Sequence, residues 1–198
     1  MDFALPGVRR IGLTGGIGCG KSTALAYFGD CGATTFEADA EVRRLLREDA
    51  GVREAVVAAF GEPVRAPDGA IDRAALAHIV FHSASQLARL EAILHPRVRK
   101  AWQDLLESPK GWVVVEIPLL FENDLQSLFD CTICLFVGQK TQTTRLRDRG
   151  LSLSQIELRR SRQWPLARKM ESADTVFVNE GSTDHLRSQV EDFLKLSL

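Results

Sequence analysis

An α/β fold, a parallel sheet with helices on both faces, is predicted by three features of the sequence. Apolar runs at 10–13, 112–117, 131–137 and 175–178, with a shorter one at 34–36, lack the alternation of a half-exposed strand. Unbroken runs of this kind suit parallel strands covered on both sides. Helical patterns separate them, as a doubly wound domain requires. The third feature is the stretch Gly15-Gly16-Ile17-Gly18-Cys19-Gly20-Lys21-Ser22, which fits G-x-x-x-x-G-K-[ST] between the first run and a helix start at Thr23. Strand, glycine loop and helix start together build a concave set of backbone N–H groups at the positive end of a helix dipole, a phosphate cradle. The class is therefore P-loop NTPase-like.

Within the loop, Gly16, Gly18, Cys19, Gly20, Lys21, Ser22 and Thr23 are the expected binders of a nucleoside triphosphate. Lys21 has the reach for the β/γ-phosphates, and the Ser22 hydroxyl is the expected protein ligand to Mg²⁺. Cys19 stands at a helix N-terminus, where a thiol pKa can fall. Oxidation or alkylation there is one expectation, and a small residue merely tolerated in the loop is the other.

The order of elements divides the single 198-residue unit into parts. A P-loop core is expected from 8–39, 108–139 and 171–198. The interval 40–107 reads as helices at 41–46, 52–60, 73–81, 85–94 and 97–106, with a turn-rich break at 63–69 and His95-Pro96 joining the last two. That insertion is the natural place for a second substrate. An arginine-rich helical stretch, 140–170, is the candidate lid, with Arg145 and Arg149 spaced four apart as on one helical face. A final helix at 182–196 starts on Ser-Thr-Asp and carries Leu186, Val190, Phe193 and Leu194 on one face.

Charge is nearly balanced, 25 basic against 26 acidic residues, which removes a broad electrostatic case for nucleic acid or membrane partners. Met1 to Arg10 shows no secretory signal, and the longest apolar stretch, 112–121, is interrupted by Glu116 and Pro118 and too short for a bilayer. Cys131-Thr132-Ile133-Cys134 reads as C-x-x-C, but inside an apolar run it is better taken as a buried strand. A cytoplasmic, reduced protein is expected. Oligomeric state is not legible.

A P-loop alone does not separate kinases, GTPases and ATPases. The Asn-Lys-x-Asp motif of GTPases is missing, Asn179-Glu180-Gly181-Ser182 being no match, and so is the Leu-Ser-Gly-Gly-Gln motif of transporter ATPases. A P-loop with a helical insertion and an arginine lid is the pattern of small-metabolite kinases. The segments Ile11-Gly-Leu-Thr-Gly-Gly-Ile-Gly-Cys-Gly-Lys-Ser-Thr23, Glu37-Ala-Asp39, Leu94-His-Pro96, Ile117-Pro-Leu-Leu-Phe-Glu-Asn123, Gln163-Trp-Pro-Leu-Ala-Arg-Lys169 and Ala173-Asp174 with Asn179 occur in the order seen in dephospho-coenzyme A kinases. The chain resembles that family over nearly its whole length.

The resemblance implies transfer of the γ-phosphoryl of ATP to the ribose 3′-hydroxyl of dephospho-coenzyme A, with Mg²⁺ as cofactor. Another small-metabolite kinase and a non-catalytic ATP-sensing module are the alternatives. Asp39 falls on the second acid of the family's Asp-x-Asp pattern, and is expected to accept the hydroxyl proton directly or through metal-bound water; its other reading is a helix cap. Glu37, where the family has Asp, and Glu116, at the end of a strand, are open as metal-water contacts. Lys21 and Arg149 complete the expected catalytic set, and Arg145 and Asn179 the nucleotide site. Arg159 and Gln163 fall on a later lid pattern, with phosphate contact or closure of the lid as their roles. His95, Leu119, Phe121 and Glu122 are expected to line the acceptor cleft.

Overall fold

The computed structural model describes residues 9–80, 83–107 and 111–196. The expectations that fall on Met1–Val8, on Phe81 and on the ends of the ranges at 108 and 197–198 lie outside them. The chain divides into two compact units, Met1–Glu37 with Ser108–Leu198, and Ala38–Glu107.

The first unit is a five-stranded sheet: β1 (Arg10–Gly15), β2 (Thr34–Glu37), β3 (Val113–Glu116), β4 (Cys131–Phe136) and β5 (Thr175–Val178). Every pairing is parallel, and the order is β2-β3-β1-β4-β5. From β1 the chain travels to the β2 side, whereas from β3 it travels to β4 on the other side. The connections therefore diverge above the carboxyl ends of β1 and β3, which makes that edge the topological switch point where open α/β sheets bind ligands.

Helices α1 (Lys21–Asp30) and α9 (Thr183–Leu196) pack against each other on one face. There Ile11, Leu13, Ile133 and Leu135 meet Phe28, Leu186 and Val190 in a closed core. Three rings lock it: Phe28, Phe177 and Phe193 stand with centroids 5.9 to 6.4 Å apart, one pair stacked and two edge-on. Ser182 caps α9, its Oγ accepting from His185 N at 3.3 Å. On the other face β1 presents Gly12 and Thr14. A side chain at Gly12 would run into Leu120 Cδ1 at 2.6 Å and Phe129 Cδ2 at 2.9 Å, so the segment after β3 closes directly on the strand. Between β4 and β5 lie α6 (Gln139–Asp148), α7 (Leu153–Arg160) and α8 (Leu166–Ser172). Ser152 and Gln155 form a reciprocal capping box at the start of α7.

The second unit is helical: α2 (Ala38–Glu48), α3 (Ala50–Phe60), α4 (Arg73–Val80) and α5 (Ala84–Glu107). The turn-rich break between α3 and α4 adds a single isolated antiparallel bridge, Arg65 to Ile71. One expectation is corrected here. Residues 85–94 and 97–106 are not two helices joined at His95-Pro96 but one helix, with Pro96 inside it. Proline removes one i to i−4 hydrogen bond and normally costs about 3 kcal/mol. Against that, Leu90, Leu94, Val98, Trp102 and Leu106 form an unbroken buried stripe at four-residue spacing across Pro96. The Arg97 guanidinium also donates to the Ile93 carbonyl at 2.8 Å, on the turn that the ring disturbs. Burial of five large side chains, each contributing about 1.5–3 kcal/mol, outweighs the missing bond.

Candidate active site

The loop from β1 to α1 is held open by its glycines and pinned by side chains from elsewhere in the unit. Gly20, the N-cap of α1, has φ 90°, and a Cβ on it would lie 2.1 Å from Asn179 Nδ2. Only glycine fits both the conformation and the contact. The first intrahelical bond runs from Ala24 N to Gly20 O at 3.0 Å. The N–H groups of Lys21, Ser22 and Thr23 precede it, and so face outward from the helix start as an anion site does.

Lys21 is buried. Its Nζ donates to Gly16 O at 3.1 Å across the loop and stands 3.9 Å from a carboxylate oxygen of Glu116, also buried, at the end of β3. The pair sits at the β1/β3 switch point. Glu116 stands in register beside Leu13 on one side and Glu37 on the other. With the exposed Ser22 hydroxyl, this edge offers hard oxygen donors of the kind Mg²⁺ takes together with phosphates and water.

Of two further expected residues, one meets the loop and the other meets that residue. Asn179, buried just after β5, donates from Nδ2 to Cys19 O at 2.9 Å. Arg145 donates to Asn179 O at 3.0 Å. Arg149 is different: α6 ends at Asp148, and Arg149 is its exposed C-cap. Asp39 lies in the second unit, exposed in the first turn of α2, where it complements the helix dipole rather than capping the end. His95 is on the exposed side of α5. Arg159 is exposed on α7, and Gln163 is partly buried between α7 and α8.

Burial bears on two of the expected residues. Cys19 is fully enclosed, and desolvation raises its thiol pKa despite the nearby Lys21 ammonium. It is therefore not an activated thiol. Cys131 and Cys134, in β4, are likewise pushed up, to about 11 and about 12, mainly by burial. Native protein treated with iodoacetamide at neutral pH is expected to label the exposed Cys31 and to leave the other three thiols unmodified until it is unfolded. Mass mapping of Cys19 adducts in the native state would contradict this.

The second is Glu122, whose Oε1 accepts from Trp164 N at 2.7 Å and from Lys169 Nζ at 2.9 Å, so the carboxylate is engaged by the α7–α8 connection and by α8. Lys169, on α8, has no exposed surface and also donates to Pro118 O at 2.6 Å. Burial lowers its pKa, while Glu122 opposes the shift. Phe121 packs on Trp164 with centroids 6.5 Å apart, and Leu119 stays partly exposed.

Gln142 was not singled out in the sequence, and Lys169 stood there only as the last residue of the Gln163–Lys169 segment, with no role of its own. For Lys169 a signal existed: it shares the inward face of α8 with Leu166 and Met170, at i, i+3 and i+4 spacing. Gln142, on α6, is buried against the loop and bonds the Ile17 carbonyl, a contact 125 residues away in sequence that no local pattern encodes.

Comparison with known proteins identifies the family. The family model described as CoaE, dephospho-CoA kinase, matches residues 9–185. The chain is similar to a curated dephospho-CoA kinase of Geobacillus kaustophilus, 39% identical over 190 residues, covering 93% of this chain and 94% of that one. It is also similar to one of Arabidopsis thaliana, 38% identical over 192 residues, covering 94% and 83%. A crystal structure from Thermus thermophilus superposes with TM-score 0.77 at 33% identity, covering 95% and 97% of the two chains. A shikimate kinase from Acinetobacter baumannii in complex with shikimate, at TM-score 0.53 and 16% identity over 97% and 94%, shares the fold. The chain belongs to the dephospho-CoA kinase family.

Proposed function

We propose that this enzyme moves the γ-phosphoryl group of ATP to the ribose 3′-hydroxyl of dephospho-coenzyme A, giving coenzyme A and ADP. The observation that supports it most is the family match over residues 9–185, on a chain whose P-loop lysine is seated at the sheet's switch point.

The loop amides and the α1 N-terminus receive the β- and γ-phosphates, and Lys21 follows the charge to the transferred group. Ser22 Oγ would be the protein ligand for Mg²⁺, and Glu116 would hold a metal-bound water. The metal would supply positive charge to neutralise the phosphates. Asp39 takes the 3′-hydroxyl proton as the hydroxyl oxygen bonds to the γ-phosphorus, and the bond from that phosphorus to the bridging oxygen breaks as ADP leaves. Arg145 and Arg149 supply positive charge from the segment 140–170, which acts as the lid. Helices of the segment 40–107, His95 among their residues, receive the acceptor with Leu119 and Phe121. The four free thiols support a reducing, cytoplasmic setting.

Incubation with Mg-ATP and a panel of hydroxyl acceptors, with ADP as readout, tests the reading. Turnover confined to dephospho-coenzyme A is expected. Turnover with a different nucleoside or sugar instead would replace the acceptor, and nucleotide binding without any turnover would replace the enzyme with a sensor.

A further inference from the structure

The loop carbonyl of Ile17 is held by a side-chain relay that begins on α7. Arg160 donates to Gln142 Oε1 from Nε at 2.9 Å and from a terminal nitrogen at 2.5 Å, and to Thr143 Oγ1 at 2.9 Å. A guanidinium only donates, so it fixes the carboxamide with its oxygen toward Arg160 and its amide nitrogen toward the loop. That nitrogen donates to Ile17 O at 2.6 Å and lies 3.8 Å from Cys19 Sγ. Carbonyl and N–H point to opposite sides of a planar trans peptide. Holding the Ile17 oxygen toward α6 therefore turns the Gly18 N–H away from α6. The side of the loop facing α6 is closed: a Cβ at Gly16 would lie 2.9 Å from Gln142 Nε2, and one at Gly18 3.0 Å from Leu146 Cγ. The turned N–H is thus directed away from that closed side.

We propose that Gln142 is a positioning residue for the nucleotide's phosphates and that Arg160 acts through it, so the start of the 140–170 segment sets the loop's readiness for anion. Neither residue touches the reacting atoms. Arg160's other partner, Glu157 at 2.8 Å, is an exposed pair on the same helix and lies outside the relay. The inference rests on reading the loop as the ATP site, and ATP binding measured without acceptor keeps it separate from the acceptor assignment.

Titration calorimetry with Mg-ATP on four single variants and one double variant, each checked by its circular dichroism melt, is the test. Gln142→Glu keeps shape and partner but presents an acceptor to the Ile17 carbonyl, and should weaken ATP binding about tenfold. Arg160→Met frees the carboxamide to flip and should cost about threefold, whereas Arg160→Lys, which retains a donor, should stay within about twofold of wild type. In the Gln142→Ala background, Arg160→Met should add nothing, since both act through one contact. KM for ATP should rise with KM for the acceptor unchanged. Wild-type ATP affinity in Gln142→Glu, or losses that add in the double variant, would overturn the proposal. Should a Gln142 variant not fold, the amide shift of Gly18 decides: it should move in Arg160→Met and return in Arg160→Lys, and an unmoved resonance overturns the proposal.

Discussion

Asp39→Asn is expected to lower kcat by about 10²- to 10⁴-fold while ATP affinity stays within about twofold of wild type. The substitution is isosteric and removes only the ability to accept a proton. Asp39 lies in the first turn of α2 beside Glu41, so its charge also complements the helix dipole, an effect of about 0.3–1 kcal/mol. A thermal melt should therefore shift by no more than a few degrees. That split separates the base from the helix-stabilising reading: if kcat falls less than about tenfold while stability drops, the carboxylate serves the helix alone. Single-turnover quench experiments, with binding measured independently, make the distinction clean.

Lys169→Met should cost about 3–5 kcal/mol of stability, which for a chain of this size lowers Tm by roughly 6–20 °C. The lysine is fully buried, and its ammonium serves the Glu122 carboxylate and the Pro118 carbonyl at once. Removing it leaves Glu122 enclosed with its charge uncompensated. Its second oxygen, Oε2, is already buried without a hydrogen-bond partner among the described residues. Replacing both members, Lys169→Met with Glu122→Gln, should recover much of the loss, because a neutral amide can still accept from Trp164 N without an unpaired buried charge. Urea denaturation of the single and double variants measures this directly. A single variant as stable as wild type would show that the pair does not anchor α8 to the segment after β3.

Why some of this was readable from sequence and some was not follows from the range of the interactions. The strands stand where the runs in the sequence placed them, to within one or two residues. The match is clearest for the central strands β3 and β4, since a parallel strand buried on both faces is apolar nearly throughout; the edge strands β2 and β5 are only partly buried. The loop was legible because a phosphate cradle demands glycine at fixed spacing before a lysine, a local requirement. The contacts of Asn179 with the Cys19 carbonyl and of Arg145 with Asn179 are tertiary, and the roles expected of these residues toward the nucleotide did not foretell them.

Pro96 misled because its local rule, that proline ends helices, is outweighed here by tertiary burial of the stripe from Leu90 to Leu106. For Cys19 two readings were open, and burial favours the small residue tolerated in the loop: position at a helix N-terminus argues for a low pKa, but burial dominates, and burial is a property of the folded unit. Glu122 reads as a polar residue after a core strand, and only the tertiary fold reveals that Lys169, 47 positions away, engages it. Gln142 and Arg160 share that invisibility, since nothing in a helical surface pattern distinguishes a glutamine facing solvent from one holding a distant carbonyl.

The most direct measurement is the identity of the phosphorylated product. Purified enzyme, Mg-ATP and dephospho-coenzyme A, followed by phosphorus NMR and fragmentation mass spectrometry, should yield one new phosphomonoester on the ribose 3′-oxygen, formed in step with ADP. Phosphate on any other oxygen, or ADP released with dephospho-coenzyme A intact, would contradict the account.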